Sequence, residues 1–198
     1  DNRFISERVN QLRNWNIEFI QGDILDKDII KKYCINADVI HHLAGITQVP
    51  RTKSEASDIQ DAKIREVGER GTQNILDVIS DKCKIIFPST HVVYEGINEV
   101  RTDIKEDETM KPVLSYSTSK AVNEDQLKRS GKNYIILRLG SVYGYSTDSM
   151  RIDIMPNLFS KISSQNGTLK LFAGGRQIKC LVPLIDVARC FKFMEEKN

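Results

Sequence analysis

The apolar residues of this chain fall in short blocks separated by polar and charged stretches, and the period inside each block predicts its element. Ile85-Ile86-Phe87 and Tyr134-Ile135-Ile136-Leu137 are continuous apolar runs of strand length, the pattern of strands buried on both faces. Asp38-Val39-Ile40-His41-His42-Leu43-Ala44-Gly45 reads as a further buried strand, ending in small residues that let the backbone approach a ligand. Asn16-Ile17-Glu18-Phe19-Ile20 and Thr168-Leu169-Lys170-Leu171-Phe172 alternate, which predicts two half-buried strands. Between these blocks the pattern predicts a polar helix over 4–14 and a mostly charged stretch over 53–80 that is helical after an initial loop. It also predicts a helix over Ser115–Ser130 stopped by Gly131, and a helix over 152–163. Strands alternating with helices predict an α/β fold with a parallel sheet.

The polar positions add detail. Asp26 is placed to cap a helix, and residues 96–112, ending in Lys111-Pro112, read as a loop. His41 and His42 are adjacent on a strand and face opposite ways, so they cannot share a metal, and no metal site is expected.

Composition narrows the class without naming a function. A chain of 198 residues is about one domain's worth, and 40% hydrophobic with 28% charged residues is ordinary for a soluble protein. A net charge of +2 gives no reason to invoke nucleic acid or an anionic membrane. No apolar run approaches the ~20 residues of a membrane span. Cys34, Cys83, Cys180 and Cys190 are scattered with no C-x-x-C pair, which suits free thiols in a reducing cytoplasm.

The chemistry lies in Ser115-Tyr116-Ser117-Thr118-Ser119-Lys120. Residues four apart share one face of a helix, so the phenol of Tyr116 and the ammonium of Lys120 point the same way. A neighbouring ammonium favours the phenolate, and a Tyr tuned towards neutral pH can take a proton from an alcohol or give one to a ketone. Upstream, Ser89-Thr90 ends the run Ile85–Phe87, where a strand delivers a hydroxyl to the sheet edge. A Ser/Thr, a Tyr and a Lys in that order form an alcohol/ketone hydride-transfer set.

Ser89-Thr90-His91-Val92-Val93-Tyr94, then Tyr116-xxx-Lys120, then Arg138-Leu139-Gly140-Ser141-Val142-Tyr143-Gly144 resemble the extended short-chain dehydrogenase/reductases, and within them the NAD-dependent sugar epimerase/dehydratase group. The resemblance runs from Asp1 to about Glu195. It implies a Rossmann-like doubly wound parallel sheet lacking its first β-α unit, with an NAD-binding domain over 1–145 and the start of a small substrate-binding part over 146–198. No G-x-G-x-x-G occurs in the chain, so this register puts the glycine-rich turn roughly 30 residues' worth of β-α-β unit ahead of residue 1. Residues 1–198 alone are then expected to bind dinucleotide poorly, because the pyrophosphate lacks its helix N-terminus.

The resemblance also implies roles. Asp1, with Asn2, stands at the end of the second strand to bind the adenosine ribose and favour NAD over NADP. Asp23 contacts the adenine amino group and Ile24 packs on its ring. Leu43, Ala44 and Gly45 line the diphosphate and nicotinamide ribose, with Ser89, Tyr116 and Lys120 completing the cofactor set. Thr90, Tyr116 and Lys120 are the catalytic residues, Thr90 holding the reacting sugar oxygen. Thr90, His91, Ser141, Arg176 and Lys179 face a nucleotide-sugar substrate, although Arg176 and Lys179 read equally as surface charges. Asn74 ties backbone together, and Asp186 caps the last helix.

The sequence departs from the family pattern at Gly68 (usually Asn), Glu95 (usually Gly), Ser141 (usually Asn) and Lys179 (usually Arg). His91 and Val92 stand where sugar 4,6-dehydratases carry acids. An epimerase is therefore the expected activity, ahead of a keto-sugar reductase and a 4,6-dehydratase. A non-catalytic NAD(H)-sensing scaffold is the expectation from another class. A homodimer formed through the catalytic helix is also expected.

Overall fold

The computed structural model describes residues 2–47, 57–146 and 150–197. The apolar run at Ile85–Phe87 is the centre of a parallel sheet. Among the described residues this sheet has the order β1 (Val39–His41), β2 (Lys84–Thr90), β3 (Asn133–Leu139). Ile85 pairs with Ile40 on one side and with Tyr134 on the other. Ile85, Ile86 and Phe87 are all buried, as a central strand covered on both faces requires.

The crossover from β1 to β2 carries α3 (Ser57–Arg65), a π-helical turn (Glu66–Arg70) and α4 (Gly71–Val78). The crossover from β2 to β3 carries α5 (Ser115–Arg129). Ile75, Leu76 and Ile79 from the end of the first crossover meet Ile85, Phe87 and Leu127 of α5 in one apolar core. Ile30 and Cys34 of α2 (Lys27–Cys34) pack on the same core. Asp26 caps α2 as expected, its carboxylate accepting from the amides of Asp28 and Ile29. Past α5, Gly131 takes φ +69°, the left-handed conformation that ends helices and that glycine adopts without a Cβ penalty.

The chain divides into two compact units, and this sheet with its helices forms the unit of residues 22–139 and 193–198. At its lower edge Lys84, the first residue of β2, donates from Nζ to the carbonyls of Met194 and Glu195 at 3.2 and 2.8 Å, and to that of Lys197. These are the open carbonyls where helix α7 (Leu184–Glu195) ends.

The other unit comprises residues 1–21 and 140–192. It holds α1 (Asn2–Asn14), the two-stranded parallel ladder of β4 (Ser141–Tyr143) with β5 (Leu181–Pro183), α6 (Met155–Ser164) and most of α7. α6 starts three residues later than its apolar pattern, because Pro156 fits the first helical turn and residues 152–153 form a turn ahead of it.

Two expected strands are absent. Residues 16–20 join no ladder: Asn16 turns at φ +58° and the Ile17 amide folds back onto the Leu12 carbonyl, closing the end of α1. Residues 168–171 are likewise unpaired, with Leu169 and Leu171 exposed. Alternation states which side chains share a face, but a strand also needs a neighbour for its amides. The placing of Asp1 and Asn2 at the end of a strand is corrected for Asn2, which opens α1, while Asp1 lies outside the described residues.

Candidate active site

β2 ends in Ser89 and Thr90, both buried, at the carboxyl edge where open α/β sheets bind their ligands. The Thr90 hydroxyl oxygen accepts from the amide of Val92 at 3.3 Å, capping the short 3-10 turn His91–Tyr94. That bond uses a lone pair, so the hydroxyl proton is left to donate. Ser89 is differently placed. Its hydroxyl donates to Glu124 Oε1 at 2.6 Å, inside the protein.

α5 brings Lys120 to the same strand end. Its ammonium donates to the Pro88 carbonyl at 2.8 Å and stands 4.2 Å from the Phe87 ring centroid and 6.0 Å from that of Tyr116. The shared helix face read from the four-residue spacing is therefore observed. Burial lowers the Lys120 pKa to about 8, against the opposing pull of the Glu124 carboxylate. Of its three N–H donors, one goes to Pro88.

Behind the lysine lies a buried charge network. Arg138, near the end of β3, grips Glu124 in a fork, with Nε 3.0 Å from Oε1 and Nη2 2.7 Å from Oε2. Burial pushes the Glu124 carboxyl up, but the hydrogen bonds from Arg138 and Ser89 outweigh it and hold the carboxyl below its ordinary range. Arg138 also donates to the Tyr94 hydroxyl and, at 2.8 Å, to the Glu106 carbonyl, while Tyr94 donates to the Lys105 carbonyl at 3.1 Å. Loop 96–112 is thus stitched to the sheet through Tyr94 and Arg138.

At the end of β1 the two histidines engage different partners. His41 pairs with Glu195 at 2.8 Å, whereas His42 is buried, 2.8 Å from the Thr72 hydroxyl through Nε2, with its ring against Phe87. Among the described residues its Nδ1 has no hydrogen-bond partner. Burial first, and then the nearby Lys120 charge, drop the His42 pKa to about 4, so the ring is neutral.

Leu43, Ala44 and Gly45 follow as an exposed shelf, and a Cβ on Gly45 would meet no atom of the described residues within 4 Å. Asp23 is exposed, with Oδ1 accepting from the Leu25 amide at 2.9 Å. Ile24 packs on the core and closely under Gly71, and its carbonyl accepts from Asn74 at 3.0 Å, the backbone tie expected of Asn74. His91 Nδ1 lies 3.1 Å from the Leu139 carbonyl. A carbonyl only accepts, so Nδ1 carries the proton. In the other unit Ser141 donates its amide to the Cys180 carbonyl at 2.7 Å, and Arg176 and Lys179 are exposed.

The sequence reading singled out Thr90, Tyr116 and Lys120 but not the pairing of Glu124, the contact of His42 with Thr72 or the bonds made by Glu95. Their partners lie 14 to 35 residues away, beyond any local spacing.

Residues 2–198 match the family described as the NAD dependent epimerase/dehydratase family, and the chain belongs to it. It is 28% identical over 194 residues to the UDP-N-acetyl-alpha-D-glucosaminuronate decarboxylase of Bacillus cytotoxicus, covering 92% of this chain and 58% of that protein. The fold matches UDP-glucuronic acid 4-epimerase from Bacillus cereus, solved with UDP-glucuronic acid and NAD. There the TM-score is 0.76 at 24% identity, over 98% of this chain and 62% of that one. A tyrosine-to-phenylalanine variant of that epimerase, solved with UDP-4-deoxy-4-fluoro-glucuronic acid and NAD, gives 0.79 at 28% identity, over 98% and 60%. The chain spans less than two thirds of the length of each of these relatives.

Proposed function

We propose that the protein is an NAD-dependent nucleotide-sugar epimerase. The observation that carries this reading is Lys120, fixed to Pro88 and 6.0 Å from the Tyr116 ring centroid, beside the strand that ends in Thr90. The residues suit a dinucleotide. The shelf Leu43–Gly45 is open, Lys120 has further donors for ribose hydroxyls, and Asp23 is exposed for an adenine amino group. NAD, when bound there, accepts a hydride from a sugar carbon and returns it.

The chain's own groups handle the proton and the orientation. Tyr116 as phenolate takes the proton of the sugar hydroxyl, and Thr90 donates to the oxygen as it becomes a carbonyl. Lys120 as ammonium favours the phenolate. For epimerisation the keto sugar would have to present its other face, with Tyr116 giving the proton back to the same oxygen.

The likeness to the decarboxylase supports a second reading, in which the same oxidation precedes loss of CO2 from a uronate. A β-keto carboxylate releases CO2 as its C–C bonding pair moves into the ketone, and the enolate left behind takes a proton at carbon. Dehydration is less well served. Val92 carries no proton, and the His91 ring is tied to Leu139.

The test is incubation of the whole protein with UDP-, GDP- and dTDP-sugars, uronates included, and catalytic NAD, followed by NMR. A new epimer without net NADH supports the proposal. A decarboxylated pentose moves the assignment to the second reading, and a 4-keto-6-deoxy product moves it to the dehydratases. Tyr116→Phe is expected to abolish turnover while leaving NAD binding within about threefold. Retention of more than about a tenth of the wild-type rate refutes the role of the phenol.

A further inference from the structure

We propose that Glu95 is a positioning residue for Tyr116: its carboxylate clamps the entry to the helix that carries the phenol. The inference rests on the catalytic reading of Tyr116 given above. α5 begins after Leu114, an apolar residue whose side chain can accept no hydrogen bond. The chain entering the helix is instead held from another segment. Glu95 Oε1 accepts from the amides of Val113 and Leu114 at 2.9 and 2.7 Å, and from the Ser117 hydroxyl. Ser117 in turn lies 3.1 Å from the Leu114 amide, closing the first turn on itself.

Tyr116 therefore stands between two residues, Leu114 and Ser117, that are both held by one carboxylate. Burial would raise the Glu95 carboxyl, but these three donors and the His91 charge hold it below its ordinary range, so it is an anion. An anion at a helix N-terminus is favoured by the helix dipole as well as by the open amides. Glu95 is itself fixed. It follows Tyr94, and the strands of chain on either side are bridged by Lys111 to Val93 and by Gly96 to Lys111, both at 2.8 Å.

Lys120, by contrast, is anchored one turn further on to Pro88. Loss of the Glu95 clamp frees the first turn while leaving Lys120 in place. The consequence falls on proton transfer rather than on binding, because a small misplacement of a reacting group lowers kcat steeply.

Glu95→Ala and Glu95→Gln in the whole protein test this. The amide oxygen of Gln still accepts, so Gln preserves the clamp without its charge. Glu95→Ala is expected to lower kcat about 10- to 100-fold, with KM for the sugar and Kd for NAD within about threefold. Hydrogen exchange at the Val113 and Leu114 amides should accelerate by more than about tenfold, and Glu95→Gln should bring kcat back to within about threefold of wild type. Ser117→Ala, which leaves both backbone amides on Glu95, should show a smaller loss of the same kind and serves if Glu95→Ala fails to fold.

A kcat for Glu95→Ala within about twofold of wild type overturns the proposal, as does a loss confined to KM. If the wild-type protein turns over no sugar, the functional reading fails. Exchange at Leu114 then judges the clamp alone, and unchanged exchange in Glu95→Ala overturns it.

Discussion

The ammonium of Lys120 donates to the carbonyl oxygen of Pro88 at 2.8 Å, across the joint between α5 and the carboxyl end of β2. A proline in a central strand gives up an amide but keeps its carbonyl, and here that carbonyl faces the lysine instead of only the ladder. Phe87, the residue before, supplies the ring under the same nitrogen at 4.2 Å. Strand and helix thus fix the cation before any ligand arrives.

This burial makes the lysine titrate near working pH. Its pKa is lowered to about 8, so the ammonium is present below that pH and is lost as pH rises through it. If Lys120 must be charged to favour the Tyr116 phenolate and hold the cofactor ribose, kcat/KM falls above about pH 8. Lys120→Arg, whose guanidinium stays protonated, is expected to be slower at neutral pH and to lose this descending limb. A wild-type profile that stays flat through pH 8 to 9.5 counts against the assignment.

His42 carries the opposite consequence, for stability in acid. Its folded pKa is about 4 against 6.5 when exposed, so the unfolded chain binds the proton more readily. Stability is then fully present above about pH 6.5 and is lost as pH falls from 6.5 to 4, by about 3 kcal/mol at most. His42→Phe leaves the Thr72 hydroxyl unpaired and is expected to cost about 1–3 kcal/mol at pH 7. It should also flatten the acid slope, so the gap to wild type narrows or reverses near pH 4.5. Urea denaturation at the two pH values checks this, and parallel loss of stability in both proteins would refute it.

Much of this arrangement can be read from the sequence, and the reason is burial. β2 announces itself because a strand covered on both faces is continuously apolar, and β3 as an equally apolar run although it is only half-buried; α5 is legible because Gly131 stops it at the left-handed position. Tyr116 and Lys120 are a local pair four residues apart, so their geometry follows from helix pitch. Ile17–Ile20 and Leu169–Leu171 mislead because alternation is necessary for a half-buried strand but does not supply a pairing partner. Glu95 looks like a mere departure from a glycine until the fold brings it to Leu114, and no periodicity links the two. The match of Glu124 to both Ser89 and Arg138 is hidden for the same reason.

That buried pair yields a prediction on stability. Arg138→Met leaves the Glu124 carboxylate, itself fully buried, with Ser89 and the more distant Lys128 at 3.5 Å. Stranding a buried charge is expected to cost about 3–5 kcal/mol. Glu124→Leu strands the guanidinium in turn, though Arg138 keeps Tyr94 and the Glu106 carbonyl. The double variant removes both charges together and should be more stable than Arg138→Met alone. Chemical denaturation of the three variants checks the order, and additive losses would show that the two charges do not depend on each other.

Gly68 lies in the π-helical turn Glu66–Arg70. Glycine inside a helix normally weakens it, and Gly→Ala there gains about 0.5–1 kcal/mol. Here a Cβ on Gly68 would stand within overlap distance of Ser119 Oγ, with Ser119 Cβ and Asn123 Oδ1 at 3.6 Å. The Gly68 carbonyl also accepts from Asn123 Nδ2 at 3.1 Å, so the turn has little room to back away from α5. Overpacking of this kind costs about 1–3 kcal/mol, which exceeds the propensity gain, so Gly68→Ala should destabilise. Ser119→Ala removes the one atom in conflict and leaves only ordinary contact at 3.6 Å. In that background the propensity term is all that remains, and Gly68→Ala should become neutral or stabilising. The sign change is the test: a destabilisation that persists in the Ser119→Ala protein would mean that the backbone of the turn, rather than the serine hydroxyl, demands the glycine.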